Sequence, residues 1–236
     1  MERKQFLRYM GAALGWVAVA PLLTACDGGG DSTTTTDTTL PPAADATPPP
    51  ATTPPPTTTP PATTLSAEEI AGLKFMREEE KLAHDVYVAL YGVWGDNIFN
   101  QISLSETTHT EAVLALLVKY GIPDPAAGNP AGVFTDPALQ TLYDTLVSMG
   151  YASQIAALKV GALIEETDIR DIEAKKAVTD EADILTVYSS LLCGSQNHLR
   201  SFNSKLLNLG VTYVPQVITQ AEWDAIVNAP GTCVAL

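Results

Sequence analysis

From Leu65 to the carboxyl end, apolar side chains recur at intervals of three and four residues and show no sustained alternation with polar ones, which restricts this stretch to packed helices. Ser66-Ala67-Glu68-Glu69 has the form of a capping box and precedes Leu73, Met76, Ala83, Tyr87 and Leu90. A first helix is expected to run to about Tyr91 and stop at Gly92. A second starts near Asp96, carries Ile98, Phe99, Ile102, Val113, Leu116 and Leu117, and ends at Tyr120-Gly121-Ile122-Pro123. Asp136-Pro137 opens a short helix to Gly150. Ser153 opens a third long helix, a fourth spans Ile184 to about Asn208, and Thr219 to Glu222 caps a last short one. The expected fold is all-α, an antiparallel four-helix bundle with two short accessory helices.

Each long helix has its apolar stripe broken by residues that carry charge or bind metals. Positions 73, 76, 80, 83, 87 and 90 read Leu, Met, Glu, Ala, Tyr and Leu, so Glu80 lies among apolar residues, while Glu78 and Glu79 take less inward registers. In the second helix, Phe99, Ile102, Glu106, His109, Val113 and Leu116 share a face. In the third, Leu158, Ala162, Glu165, Ile169 and Ile172 do so, with Asp168 one turn beyond Glu165. The fourth contributes Ile184, Tyr188, Leu191, Ser195, His198 and Phe202.

A buried carboxylate is costly unless a partner compensates its charge. Four helices bringing such groups to one layer repel each other without cations. Residues three apart on a helix share a face, so Glu106-Thr107-Thr108-His109 can aim an oxygen and a nitrogen at one ion, or bridge two ions through the carboxylate. A solitary Glu-x-x-His is usually a solvated pair or a satisfied core histidine. Here two of only three histidines fall on inward seams, with acids on the others.

Glu80, Ala83 and Tyr87 resemble the first-helix signature of the rubrerythrin-type ferritin-like superfamily, and Glu106 with His109 resembles its Glu-x-x-His motif. More closely, "MREEEKLAHDVY", "SETTHTEAV", "GALIEETDI" and "GSQNHLRSF", in that order, look like the blocks of an uncharacterised family of bacterial and archaeal ferritin-like domains. The resemblance extends from Leu65 to about Pro215. It implies a ferritin-like bundle holding two metal ions through Glu80, Glu106, His109, Glu165 and His198. Oxygen and imidazole donors without thiolates favour iron or manganese over structural zinc.

The fourth helix departs from the pattern, offering Ser195-Gln196-Asn197-His198 where a second Glu-x-x-His is expected. Asp168 either replaces the missing carboxylate as a metal ligand or holds a histidine from behind. With neither, the site takes one metal, or two with one easily lost. Asp85 is a further supporting candidate in a poor register. The activity implied is oxidation of ferrous iron by oxygen or peroxide. Because no rubredoxin-like Cys-x-x-Cys pair is present, it needs an external electron donor. The competing expectation is a non-enzymatic envelope module that keeps the fold and binds metal or a partner protein.

Ahead of the domain at 65–236, residues 1–25 combine a basic start (Arg3, Lys4, Arg8) with an apolar run and read as a secretory signal peptide. Leu23-Thr24-Ala25-Cys26 resembles a bacterial lipobox, implying cleavage before Cys26 and its acylation. That anchors the protein to a membrane of the cell envelope, on the periplasmic or extracellular face. Residues 26–64 are almost all Gly, Asp, Ser, Thr, Pro and Ala, a disordered, semi-rigid stalk. Without residues 1–25 the chain carries 10 basic against 26 acidic side chains, a formal charge of −16, which argues against a nucleic-acid partner. Cys193 and Cys233 then remain and could pair.

Overall fold

The computed structural model describes residues 64–231. The expected signal peptide, Cys26, all of the stalk but Thr64, and Cys233 lie outside the described residues. Within them are six helices and no strand: α1 (Ala67–Trp94), α2 (Asn97–Lys119), α3 (Pro137–Gly150), α4 (Gln154–Lys176), α5 (Ala182–Asn208) and α6 (Gln220–Asn228). None is long and apolar enough to cross a membrane.

Local chemistry sets most of the ends. Ser66 Oγ accepts the Glu69 amide at 3.2 Å while Glu69 Oε2 accepts the Ser66 amide at 2.8 Å, closing the capping box that starts α1. Asp96, Asp136 and Ser153 cap α2, α3 and α4 through their side chains. The carboxyl end of α1 differs from expectation: the helix passes Gly92 and stops at Gly95, whose φ of 62° turns the chain. The added residues are held by Trp94, whose indole N–H donates to Gly150 O at 3.0 Å. That contact comes from α3 and is invisible to local pattern.

Cross-helix contacts establish direction. Tyr87 lies near Phe99 and Glu80 meets His109, so α2 returns along α1. Gly161 abuts Phe202 and Glu165 approaches His198, so α5 returns along α4. Gly72 faces Lys175 while Tyr87 faces Glu165, so α4 is also antiparallel to α1. Thus α1 and α5 run one way, α2 and α4 the other, with α1 packed on α4 and α2 on α5. The rings of Tyr87, Phe99 and Phe202, 5.5 to 6.3 Å apart, fill one layer of the core. Gly161 makes room there, since a Cβ at that position would lie 2.4 Å from the Phe202 ring.

Glu78 and Glu79, expected in less inward registers, are 3% and 2% exposed, nearly as buried as Glu80. Part of the reason is the connection between α2 and α3, which crosses α1. Arg77 pairs with Asp124 at 3.2 Å. The Glu78 carboxylate accepts the amides of Thr135 and Asp136 at 2.5 and 3.0 Å. Lys81 donates to Pro130 O at 3.0 Å, and Asp85 accepts the Gly132 amide at 2.8 Å. Asp85 also pairs with Lys81 and His84, so it fastens this strap rather than backing a buried imidazole.

Glu166 performs the same task for the carboxyl-terminal segment. Its carboxylate accepts the Tyr213 hydroxyl at 2.6 Å and the amides of Gln216, Val217 and Ile218 at 2.8, 2.8 and 3.1 Å. Tyr213 in turn stacks on Trp223 of α6, 5.1 Å between centroids. Removing a buried carboxylate that satisfies four donors costs on the order of 3 kcal/mol. Glu166→Ala is therefore expected to lower the denaturant midpoint and to red-shift Trp223 fluorescence as α6 loosens; an unchanged midpoint contradicts this role.

Candidate metal centre

The inward seams of α1, α2, α4 and α5 meet in one layer. The aromatic trio closes one side of that layer. Glu80 comes from α1, Glu106 and His109 from α2, Glu165 from α4 and His198 from α5, all buried. They form two trios, Glu80 with Glu106 and His109, and Glu106 with Glu165 and His198, in each of which the potential ligand atoms lie within 4.8 Å of one another. Glu106 belongs to both.

The distances show how it is shared. Glu106 Oε2 lies 2.7 Å from His109 Nδ1 and Oε1 lies 2.8 Å from His198 Nδ1. Neither carboxylate oxygen is aligned for a hydrogen bond. His109 Nδ1 also lies 3.2 Å from Glu80 Oε2, and His198 Nδ1 lies 3.4 Å from Glu165 Oε2. Each imidazole thus points one nitrogen between two carboxylates, and the two rings stack 5.7 Å apart.

Three further contacts hold these groups. The Tyr87 hydroxyl donates to Glu165 Oε1 at 2.5 Å, leaving Oε2 toward His198. Ser105 Oγ meets His198 Nε2 at 3.0 Å, occupying the ring nitrogen that faces away from the carboxylates. Such a partner fixes the ring orientation of a metal-binding histidine. Gly194 provides the space for the other ring, because a Cβ there would lie 2.4 Å from His109 Cε1 and Nε2. Sequence reasoning assigned no role to Ser105 or Gly194. A glycine within a helix costs about 1 kcal/mol relative to alanine, which is itself a sign that position 194 has another duty.

The remaining sequence candidates lie apart. Ser195 donates to Leu191 O of its own helix at 3.1 Å and offers nothing to a metal. Asp168 is buried but belongs to neither trio, and the partner of His198 Nε2 is Ser105, not Asp168. Cys193 is disulfide-bonded.

Burial and mutual charge shift the whole cluster. Burial raises Glu80 to about 7 against the pull of His109. Burial also raises Glu165, opposed by His198. Asp168 is pushed well up by burial and then by the charges of Glu79, Glu80, Glu165 and Glu106. For Glu106, burial is outweighed by His198 and His109, so its carboxyl is held below the ordinary range. For the imidazoles, burial is outweighed by the carboxylates: Glu106 and Glu80 raise His109, and Glu106 and Glu165 raise His198 to about 10.

Five buried atoms of the two trios lack an aligned hydrogen bond: Glu80 Oε1, both oxygens of Glu106, Glu165 Oε2 and His198 Nδ1. Buried polar atoms are ordinarily satisfied, and these groups lie close enough together that each trio could hold a metal ion. The donors are oxygen and imidazole nitrogen only, with no thiolate among them.

Residues 69–230 match the profile of a family described as an uncharacterised protein domain (DUF2202). The chain is 48% identical over 165 residues to the uncharacterised protein MJ0754 of Methanocaldococcus jannaschii, a match spanning 70% of this chain and 89% of that protein. The crystal structure of hypothetical protein MJ0754 aligns with a TM-score of 0.71 at 46% identity, covering 74% of this chain and all of that one.

Proposed function

We propose, for a chain that belongs to the DUF2202 family of uncharacterised domains, that its six helices form a ferritin-like antiparallel four-helix bundle whose middle layer binds two metal ions. The helix directions and the donation of ligands by all four long helices support that arrangement. Glu80, Glu106 and His109 would hold one ion, and Glu106, Glu165 and His198 the other, with Glu106 as the bridge. A pair of iron ions, or manganese in its place, would supply redox chemistry, the expected reaction being oxidation of the ferrous pair by oxygen or peroxide, with electrons restored by an external donor. The chain itself positions the ligands through Tyr87, Ser105 and Gly194.

The observation that carries this reading is the placement of Glu106, whose two oxygens lie 2.7 and 2.8 Å from the two imidazoles and which alone belongs to both trios. A carboxylate shared in this way can serve two cations at once. For the parts of the chain outside the described residues, we propose the lipid anchor at Cys26, the stalk and an envelope location as read from sequence. We also propose that Cys193 pairs with Cys233. Gly231 lies beside Asn197 and Arg200, one turn along α5 from Cys193.

The test is titration of the metal-free domain with Fe(II) without oxygen, in weak buffer with a pH indicator. With His198 at about 10 and Glu80 at about 7, both are substantially protonated at neutral pH. Metal ions require the free lone pairs, so uptake releases protons and affinity falls as pH is lowered. Two ions per chain with net acid release is the expected result. Absence of uptake at pH 7 removes the metal reading. Uptake without ferrous loss on adding oxygen or peroxide removes the redox part and leaves a passive metal-binding module.

A further inference from the structure

Two buried acids beside the paired trios have no task in them. Glu79 is 2% exposed and neither of its buried carboxylate oxygens meets a donor, its side-chain neighbour being another acid, Asp171; Asp168 is equally buried, with Oδ2 unmet. The packing of α1 on α4 places them together. Gly72 faces Lys175 and Tyr87 faces Glu165, a register that lays Glu79 and Glu80 beside Asp168 and Asp171. Along α4, Glu165, Asp168 and Asp171 follow at successive intervals of three, so each neighbours the next along a line that winds around the helix. That line climbs from the buried layer to the surface, where the Asp171 side chain is 19% exposed. Mutual charge effects agree with the order: Asp171 and Glu80 act on Glu79, while Glu79, Glu80 and Glu165 act on Asp168.

These oxygens do not form a third closed trio. We propose that Asp171, Glu79 and Asp168 form an acid-lined inlet between α1 and α4 along which divalent cations reach the buried pair of trios, and that Arg170 guards its mouth. The inlet rests on the metal reading above and deepens it. A hydrated divalent cation cannot cross an apolar interior, and each carboxylate replaces part of the water it must shed. At the outer end, Arg170 grips both oxygens of Asp171 at 2.8 Å. An arriving cation must displace that guanidinium, whose positive charge also opposes passage toward Glu79.

Stations and ligands are separable by experiment. A ligand affects how many ions are bound at saturation. A station affects how fast they arrive and leave. The probe is Co(II), whose visible absorption reports binding, mixed rapidly with the metal-free protein, with the final stoichiometry taken by equilibrium dialysis. Glu79→Gln and Asp168→Asn keep the side-chain shape and remove the charged oxygen. Each is expected to slow loading by about tenfold or more, the lower end of electrostatic focusing effects, and to slow chelator-driven release in parallel, with two ions still bound. Arg170→Gln is expected to quicken loading.

The opposite signs exclude general destabilisation as the cause, and circular dichroism confirms that each variant is folded. Loading of Glu79→Gln and Asp168→Asn at the wild-type rate overturns the inlet while leaving the two trios intact. Loss of an ion at saturation also overturns it, by making these acids ligands. Wild-type protein that takes up no Co(II) overturns the metal reading and the inlet together.

Discussion

Glu106→Ala is expected to abolish binding at both trios at once. Every other candidate ligand belongs to one trio, but Glu106 gives one oxygen to each, at 2.7 Å from His109 Nδ1 and 2.8 Å from His198 Nδ1. Loss of a supporting residue behind a ligand typically costs 10- to 100-fold in affinity, and loss of a shared ligand is expected to exceed about 100-fold. The metal-free fold also suffers, because the residue removed is the counter-charge of two buried imidazoles. Breaking such a buried arrangement costs roughly 3–5 kcal/mol. Dialysis against Fe(II) or Co(II) should return no tightly bound ion, and denaturant unfolding without metal should show a lower midpoint. One ion retained at wild-type affinity would show that the carboxylate is not shared.

The second large effect is expected from the smallest change, Gly194→Ala. The added methyl carbon would sit 2.4 Å from two atoms of the His109 ring, closer than any real contact. The His109 ring, the side chain in the way, must swing away from Glu80 and Glu106, and overpacking of this kind costs about 1–3 kcal/mol. The Glu80, Glu106 and His109 trio then loses its nitrogen. The trio of Glu106, Glu165 and His198 is positioned by Ser105 and Tyr87 instead, so it should persist. The expected stoichiometry is one ion per chain, against none for Glu106→Ala. A variant that still binds two ions would place His109 outside the centre.

The two variants together also show what the sequence could reveal. Spacing of three and four puts Glu106 and His109 on the same face as Phe99 and Val113, so their burial and helical setting were legible, as was the all-helical class. Periodicity identifies a face but not its neighbour. That Gly194 notches α5 opposite His109, or that Ser105 reaches His198 across 93 positions, depends on how two distant helices abut. The same limit explains Glu78 and Glu79. Periodicity within α1 alone gives their register as though one side of that helix met water, whereas the strap from α2 to α3 covers Glu78 and α4 lies against Glu79. Glu166 likewise reads as part of a charged helix face until the chain near Tyr213 folds back onto its carboxylate. Local pattern ends α1 at Gly92, short of Trp94, because Trp94 is held by α3 rather than by its own neighbours.

The stretch from Arg77 to Asp85 resembles an interchangeable run of charge, yet nearly every member answers to a different listener. Arg77 serves Asp124, Glu78 the Thr135 and Asp136 amides, Glu80 an imidazole, Lys81 a carbonyl of the strap, and Asp85 the Gly132 amide. Shuffling these residues would keep net charge, helix propensity and composition untouched while misdirecting each message. A designer borrowing this scaffold is therefore free to rewrite the outward side of α5 or α6, but should copy those nine letters in order.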